Sequence, residues 1–310
     1  MWQRFIATFL SAQLTEHQTV FVAIDRTSWR KVNLLMVSLI WQKRAIPIAW
    51  IRLNKLGCSN YREQTRVLSS ALGYLSAYTV VVLGDREFCS VELARWLGEQ
   101  GGYFCLRLKA STQIKTDLAD WQALSQIGLQ PGSKVFFNQL SVAKTQGFGA
   151  AKVAAKWKRR YRGFAPDEPW FILTNLDSLD EAILAYQKRF SIEQLFRDLK
   201  LGGYCLEGCR LEGKRFMAMV LLVAIAYTCA TTQGQQLKRR ALQQYIARPE
   251  RTDGSQKRHS AFHVGLAAHR WVPLWHECQQ LVHTLMRLNP GKIHFYRKGL
   301  RAMNTVLSTL

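Results

Sequence analysis

The sequence predicts an α/β domain that is built on a mixed β-sheet flanked by helices. Short apolar runs typical of buried strands alternate with segments of helical periodicity. Two of these runs, Val20–Asp25 (VFVAID) and Tyr78–Asp85 (YTVVVLGD), end in an aspartate. The chain has 310 residues, of which 48% are hydrophobic, so it is long and apolar enough to bury a substantial core.

A β-hairpin is predicted directly after the first strand. Lys31–Gln42 and Ala45–Leu53 are two further β-rich runs, and the short segment Lys43–Arg44 separates them. Two such runs joined by so short a turn indicate antiparallel strands.

Helices and strands alternate in the next part of the chain. Tyr61–Leu75 has leucines spaced for one helical face, and Ser90–Glu99 begins with a serine that can cap a helix. The strand that ends at Asp85 lies between these helices, and Tyr103–Lys109 (YFCLRLK) is a strand after the second. Three strands, helix, strand, helix, strand is the order of a ribonuclease H-like α/β domain.

The composition changes between Ala110 and Pro169. This segment is polar and basic, with strand-like stretches at Lys134–Leu140 and Val153–Trp157, and it predicts a β-rich insertion before the last catalytic helix. A stretch near the C-terminus, Arg248–Ser260, is predicted to be flexible. We therefore divide the chain into four parts. Residues 1–20 are a remnant N-terminal segment, and residues 21–109 together with 170–233 form a ribonuclease H-like catalytic core. Residues 110–169 form the β-rich insertion subdomain, and residues 234–310 form a basic helical C-terminal region.

The net charge indicates a polyanionic partner. Lys and Arg number 43 against 21 Asp and Glu, which gives a formal net charge of +22. Such a field attracts nucleic acid most commonly, with an anionic membrane surface as the alternative. The longest apolar run, Phe216–Ala230, is shorter than the ~20 residues that span a bilayer, so we predict a buried helix and no membrane partner. The 7 cysteines have scattered spacing that favours a reducing, cytoplasmic location.

Three carboxylates are the candidates for catalysis. Asp25 and Asp85 each end an apolar strand, so neighbouring strands would bring both to the same edge of the sheet. Glu193 would complete the set from a helix. Phosphodiester cleavage uses two divalent ions about 3.5–4 Å apart, and Mg²⁺ prefers oxygen ligands. We therefore predict these three residues as catalytic and as the ligands of two Mg²⁺ ions.

Four polar residues share one face of the helix predicted around Glu193. At 100° per residue they fall within one stripe of ~60°: Tyr186, Arg189, Glu193 and Lys200. Apolar residues between Ile192 and Leu199 fill the neighbouring sector. Arg189 and Lys200 can neutralise flanking phosphates, and Tyr186 can hydrogen-bond to one.

These residues carry a resemblance to a known family. The spacing Tyr-x2-Arg-x3-Glu-x6-Lys resembles the signature of a large family of bacterial insertion-sequence transposases with an Asp-Asp-Glu (DDE) active site. The segments VAIDRTSW around Asp25 and VVLGDREF around Asp85 look like the first and second acidic motifs of that family. The resemblance extends from about Phe21 to Gly234.

The resemblance implies a DNA transposase that acts at transposon ends. In that family the three acids bind two Mg²⁺ (or Mn²⁺) ions. The enzyme nicks the transposon end, forms and resolves a DNA hairpin, and inserts the end into target DNA. The resemblance also implies double-stranded DNA as the partner and a homodimer that holds two transposon ends. It implies a location in the bacterial cytoplasm, with association with the nucleoid when the protein is bound to DNA. Trp170 in WFILT resembles the Trp that stacks on a flipped base near the hairpin. Arg86, beside Asp85, is a further DNA-binding candidate.

The chain departs from that family's pattern before the first acidic motif. Only 24 residues precede Asp25, where the family has a helical DNA-binding region of many tens of residues. We therefore expect an N-terminally truncated copy. The alternative function is a catalytically incompetent transposase that binds DNA or dimerises as an inhibitor. A two-carboxylate glycosidase is disfavoured, because a neutral sugar gives no reason for a charge of +22.

The candidate residues also have purely structural interpretations. Asp25 could bond the turn after its strand, Asp85 could pair locally with Arg86, and Glu193 could form an ordinary helix ion pair worth about 0.3–0.5 kcal/mol. Taken together, these interpretations leave the repeated strand-end aspartates and the polar stripe as coincidences. Trp170 could be an ordinary core side chain, and Lys200 and Arg86 could be solvated surface charges.

Overall fold

The computed structural model describes residues 1–116, 119–145, 147–159, 161, 163, 167–249 and 259–310. The chain forms two compact units, Met1–Arg197 and Asp198–Leu310. Unit 1 contains the β-sheet, and unit 2 is helical over its described residues. All the candidate site residues except Lys200 belong to unit 1.

Over the described residues, the strands of unit 1 form one sheet. In chain order they are β1 (Thr19–Trp29), β2 (Val32–Trp41), β3 (Arg44–Arg52), β4 (Thr79–Gly84), β5 (Tyr103–Arg107), β6 (Gln113–Thr116), β7 (Ala119–Ala123), β8 (Lys134–Val142), β9 (Phe148–Lys156) and β10 (Trp170–Thr174). Their order across the sheet is β3-β2-β1-β4-β5-β10-β9-β8-β6-β7. The result is a mixed, mostly antiparallel sheet with helices in the same unit, as the sequence predicts.

The helices fall into two groups along the chain. Those of unit 1 are α1 (Trp2–Gln13), α2 (Tyr61–Tyr74), α3 (Val91–Glu99), α4 (Leu179–Gln187) and α5 (Phe190–Arg197). Those of unit 2 are α6 (Gly213–Arg239), α7 (Gln243–Ile246), α8 (Ala261–Trp271), α9 (Trp275–Leu288) and α10 (Ile293–Thr309). Most of the stretch predicted to be flexible, residues 250–258, lies outside the described residues.

The predicted order of the first seven elements after α1 is confirmed. β1, β2 and β3 are antiparallel neighbours, and β1, β4 and β5 run parallel to one another. The apolar run at the centre of β1 accounts for this position, because Val22, Ala23 and Ile24 are each 0% exposed. Ser90 caps α3 as predicted, since its side chain accepts a hydrogen bond from the backbone N–H of Leu93.

The turn of the first hairpin lies one residue earlier than predicted. The prediction of Lys43–Arg44 is wrong, because Arg44 begins β3 and the turn residues are Gln42 and Lys43. Both have a positive φ, of 50° and 65°. Two left-handed residues match the twist of the strands in a two-residue hairpin, and neither is a residue type that signals such a turn.

The predicted β-rich insertion adds strands to the same sheet. β9 pairs with β10, β8 with β9, and β6 with β8, all antiparallel. The stretches predicted at Lys134–Leu140 and Val153–Trp157 correspond to β8 and β9, which are longer than predicted. The division of the chain into four segments stays a prediction.

Helix α6 is longer than the apolar run within it. The helix has 27 residues, and its length and apolar composition would suffice to cross a membrane. The prediction that this segment is too short to span a bilayer is therefore wrong for the complete helix. Residues along α6 such as Phe216, Val220 and Tyr227 are buried, which is the property of a core helix.

Two glycines bring α6 and α8 into backbone contact. A Cβ atom added at Gly234 would collide with the carbonyl oxygen of Ala261, and one added at Gly265 would collide with that of Ala230. The colliding atoms are backbone atoms, so a side-chain rotation cannot relieve the overlap. The close approach of the two helices therefore depends on glycine at both positions.

We expect Gly265→Ala to destabilise unit 2, because the added methyl group would force α6 and α8 apart. The expected loss is about 1–3 kcal/mol or more in the free energy of unfolding, measured by urea denaturation. Gly299→Ala in α10 is the matched control, because no atom lies within 4 Å of its added Cβ. The control should be neutral or more stable by up to about 1 kcal/mol. Equal effects of the two substitutions would contradict the close helix contact.

Candidate active site

Asp25 and Asp85 lie side by side where the parallel pairing of β1 with β4 ends. The prediction that the first strand ends at Asp25 is wrong, because β1 continues to Trp29 and pairs with β2 over these residues. β1 and β4 run parallel and pair through Ile24 and Gly84. The next residue in each chain segment is an aspartate. Because neighbouring strands are about 4.8 Å apart, the parallel register brings the two backbone positions together without any contribution from the loops.

Backbone N–H groups hold both carboxylates in place. Oδ1 of Asp25 accepts a hydrogen bond from the N–H of Arg26 at 2.7 Å. Oδ1 of Asp85 accepts one from the N–H of Glu87 at 2.9 Å. Asp85 also caps the short 3₁₀ turn Arg86–Phe88, so the chain reverses immediately after the acid.

The residues that donate these hydrogen bonds are paired with each other. Nε of Arg26 donates to both carboxylate oxygens of Glu87, at 2.9 and 3.1 Å. Their side chains are 18% and 12% exposed. Removing one partner of such a mostly buried pair would leave a charge without compensation, which costs about 3–5 kcal/mol. We name this pair the Arg26–Glu87 clamp, and it ties the C-terminal half of β1 to the turn after β4.

Further hydrogen bonds connect the clamp to the loop that precedes α2. Ser59 donates to Oε1 of Glu87 through its backbone N–H and its hydroxyl, at 2.8 and 2.7 Å. Arg26 donates to the side-chain oxygen of Asn33, and Asn33 donates to the carbonyl oxygens of Lys55 and Gly57. The polar atoms around the clamp are therefore satisfied although Asn33 is 0% exposed.

The polar stripe predicted on one continuous helix is divided between several elements. Tyr186 lies on α4 and Glu193 on α5, while Arg189 lies in the tightened turn between them. The N–H groups of Lys188 and Arg189 bond to the carbonyl oxygens three residues earlier, which breaks the 100° spacing. The prediction of a single helix is therefore wrong.

Arg189 joins two of the three candidate carboxylates. Its Nη2 donates to Oε1 of Glu193 at 2.6 Å, and its Nη1 donates to Oδ2 of Asp25 at 3.4 Å. The Arg189 side chain is 7% exposed, whereas that of Glu193 is 48% exposed. The guanidinium group is thus directed at the carboxylates, and Glu193 is connected to Asp25 through it.

The pKa of Asp25 is raised from its ordinary value of 3.8 to about 7. Burial is the main cause, and the negative charge of Asp85 raises the pKa further. The N–H of Arg26 and the charge of Arg189 act in the opposite direction, and Glu193 adds a smaller increase. Asp25 is therefore an acid placed where a full negative charge is unfavourable unless a cation is nearby.

The oxygen donors at this edge are of the type that hard divalent cations bind. A carboxylate whose pKa is raised by burial, such as Asp25, is stabilised in the ionised form by a bound cation, and Mg²⁺ takes carboxylate oxygens as ligands. Across the described residues, no group of three His, Cys, Asp or Glu side chains is arranged as a complete metal site. The donor chemistry of Asp25 and Asp85 fits a divalent cation, and Glu193 is held by Arg189.

Aromatic rings surround the turn that contains Arg189. Trp170, at the start of β10, packs edge-on against Tyr186 with 5.2 Å between ring centroids and lies 5.9 Å from the ring of Phe190. Nζ of Lys158 lies 4.6 Å from the centroid of the Trp170 ring. Tyr186 is 0% exposed and burial raises its pKa, whereas Trp170 is half-buried.

The two remaining basic candidates take part in ion pairs. Nη1 of Arg86 donates to Oε1 of Glu168 at 2.7 Å, which differs from the local pairing with Asp85 that the sequence suggested. Lys200 lies in unit 2, in the π-helical turn Asp198–Gly202, with its Nζ 3.3 Å from Glu207.

Sequence reasoning missed several residues at this edge. Arg107 directly follows the part of β5 that pairs with β4, just as Asp25 and Asp85 follow the paired parts of β1 and β4. The arginine near the end of the run YFCLRLK therefore indicates a third charged residue at this edge. Arg26 and Glu87 were visible as the charged neighbours of the two aspartates, but not as a pair. Nothing in the sequence around Glu168 marks it as a partner of Arg86.

In a comparison with protein-family models, residues 59–229 match the transposase DDE domain. This chain belongs to the transposase DDE domain family. The match covers more than half of this chain and includes Asp85 and Glu193, while Asp25 lies before it.

Comparisons with individual proteins show resemblance at low identity. The chain resembles the piggyBac transposase in a synaptic complex with hairpin DNA, with a TM-score of 0.46, 10% identity, and coverage of 93% of this chain and 58% of that one. It also resembles the Marinitoga piezophila Argonaute in complex with guide RNA and target DNA, with a TM-score of 0.25, 10% identity and coverage of 56% and 25%. No curated protein sequence matches significantly. The chain thus spans little more than half the length of the piggyBac transposase.

We expect Asp25→Asn to remove a pH-dependent loss of stability. With a pKa of about 7 in the folded protein against an ordinary 3.8, the native state retains a proton that the unfolded chain has released. The free energy of unfolding of the wild type therefore falls as the pH rises through this window, and is lowest above about 7. Relative to the wild type, the variant should gain stability as the pH rises from about 5 to about 8.

Urea denaturation of both proteins across this range is the measurement. Asp180→Asn is the matched control, since it removes an acid whose side chain is 74% exposed. A stability difference between wild type and Asp25→Asn that does not change with pH would contradict the raised pKa.

Proposed function

We propose that this chain is a DNA transposase that cleaves and rejoins strands at insertion-sequence ends, with Asp25, Asp85 and Glu193 as its catalytic residues. The observation that carries the proposal is the parallel register that puts Asp25 beside Asp85 at one sheet edge. Arg189 connects this pair to Glu193. Membership of the transposase DDE domain family supports the same assignment.

Two Mg²⁺ ions, with Mn²⁺ as a substitute, are the proposed cofactors, and the three carboxylates would hold them. When bound, such a pair of ions activates the attacking oxygen and holds the leaving oxygen of the phosphodiester. Asp25 is partly protonated near neutral pH because its pKa is about 7. It would release that proton when a cation binds. Arg189 keeps Glu193 directed towards Asp25 and offsets part of the negative charge of the site.

The proposed DNA contacts divide into exposed and buried residues. Trp170 is half-buried and braced by Tyr186, so we assign it the stacking on an unpaired base. Arg86 and Lys200 are proposed to contact phosphates. For Tyr186 and Arg189, burial favours support of Trp170 and of the carboxylates over direct contact with DNA.

A ribonuclease H-like core is part of the proposal. Its support is the observed order β3-β2-β1-β4-β5 with β1, β4 and β5 parallel. We propose that residues 21–109 and 170–233 form this core, that 110–169 form the insertion, and that 1–20 and 234–310 are the flanking regions. A hairpin intermediate, resolved before strand transfer, completes the proposed pathway.

The proposed partners are transposon-end and target duplexes, bound by a homodimer in the bacterial cytoplasm. The formal net charge of +22 supports a DNA partner, because neutralising phosphates releases counterions. The inhibitor alternative predicts the same DNA binding without cleavage, so a cleavage assay separates the two.

We expect the purified protein to cleave a labelled duplex that carries an end of its own element, with Mg²⁺ but not with EDTA. Glu193→Gln should lower the cleavage rate by more than about 100-fold, beyond the 10–100-fold loss typical of residues that only support a metal ligand. Glu92→Gln, which changes an exposed acid in the first turn of α3, is the matched control and should cleave like the wild type.

Each other result selects a different conclusion. DNA binding without cleavage in any divalent metal would favour the inhibitor. Undiminished cleavage by Glu193→Gln would refute the assignment of the third carboxylate. Gel electrophoresis under denaturing conditions resolves nicked, hairpin and transferred products in the same experiment.

A further inference from the structure

Arg107 lies beside Asp85 at the same edge of the sheet. β4 and β5 run parallel and pair through Gly84 and Leu106, so Asp85 and Arg107 are the next residues of the two segments. Asp25 occupies the equivalent place beside Asp85 on the other side. Three neighbouring parallel strands therefore bring an acid, an acid and an arginine to one edge.

Arg107 and Arg86 converge on a single carboxylate oxygen. Nη1 of Arg86 and Nη2 of Arg107 donate to Oε1 of Glu168 at 2.7 and 2.6 Å. The Arg107 side chain is 16% exposed, which is much less than the 50% of Arg86. Arginine stays charged in proteins and binds phosphate oxygens through the same N–H groups that bind carboxylates.

We propose that Arg86 and Arg107 form the binding site for a DNA phosphate adjacent to the one that is cleaved, and that Glu168 occupies this site in the DNA-free protein. The inference rests on the proposed function, because the DNA substrate supplies the phosphate. Glu168 presents one oxygen to two guanidinium groups, whereas a phosphodiester offers two equivalent oxygens that share a negative charge. Each arginine would then have its own acceptor.

Displacement of Glu168 requires no rearrangement of the core. Its side chain is 36% exposed, and it lies two residues before the start of β10, at Trp170. The carboxylate can therefore move into solvent while β5 and β10 keep their pairing. DNA must compete with Glu168 for the two arginines, so the acid lowers the affinity of the protein for DNA.

We expect Glu168→Gln to bind DNA more tightly than the wild type, by roughly three- to tenfold near 0.1 M salt. The slope of log K against log salt concentration should stay close to that of the wild type, because the two arginines bind the same phosphate in both complexes. The measurement is fluorescence anisotropy of a fluorescein-labelled mixed-sequence duplex, titrated at several NaCl concentrations with EDTA to prevent cleavage. Adding Arg107→Gln to Glu168→Gln should cancel this gain in affinity.

Asp177→Asn is the matched control for the change in net charge. Asp177 forms one ion pair with Lys152 at 2.7 Å and follows the opposite end of β10 from Trp170. If Asp177→Asn and Glu168→Gln raise the affinity equally, or if Glu168→Gln weakens binding, the phosphate site is refuted. A wild type that binds no DNA at any salt concentration refutes the proposed function itself, and the site falls with it.

Discussion

The parallel register of β1, β4 and β5 is the constraint on which the site depends. Because Ile24 pairs with Gly84 and Gly84 with Leu106, the next residue in each segment reaches the same edge. Strand spacing then sets the separation of the backbone positions. The Arg26–Glu87 clamp maintains this arrangement, since the same two residues pair through their side chains and hold the aspartates through their N–H groups.

The charges at this edge are balanced by arginines that differ in exposure. Arg189 is nearly inaccessible and bridges Asp25 to Glu193, so its charge is committed to two of the candidate carboxylates. Burial and the negative charge of Asp85 nevertheless keep the pKa of Asp25 high. A further cation at this edge would therefore stabilise the ionised form of Asp25. On the other side of Asp85, two arginines share one exposed acid. Positive charge therefore remains available where the proposed substrate would bring phosphates.

The sequence predicts this edge well where the pattern is local and poorly where it is not. Apolar runs ending at Asp25 and Asp85 predict the strands and the placement of both acids, because buried parallel strands are continuous hydrophobic segments. The break in the helix between Tyr186 and Glu193 escapes prediction. It consists of backbone hydrogen bonds that span three residues instead of four, in a segment whose residue types suit a continuous helix. Glu168 pairs with Arg107 across 61 positions, and no periodicity encodes such a contact.

The proposed function depends on the binding of a divalent cation by Asp25 and Asp85 together. Crystals of the protein grown with a DNA end and Mn²⁺ test this directly, because Mn²⁺ can be located by its anomalous scattering. We expect an anomalous peak between the two aspartates, within about 2.3 Å of an oxygen of each. An ordered DNA end with Mn²⁺ bound only elsewhere would contradict it.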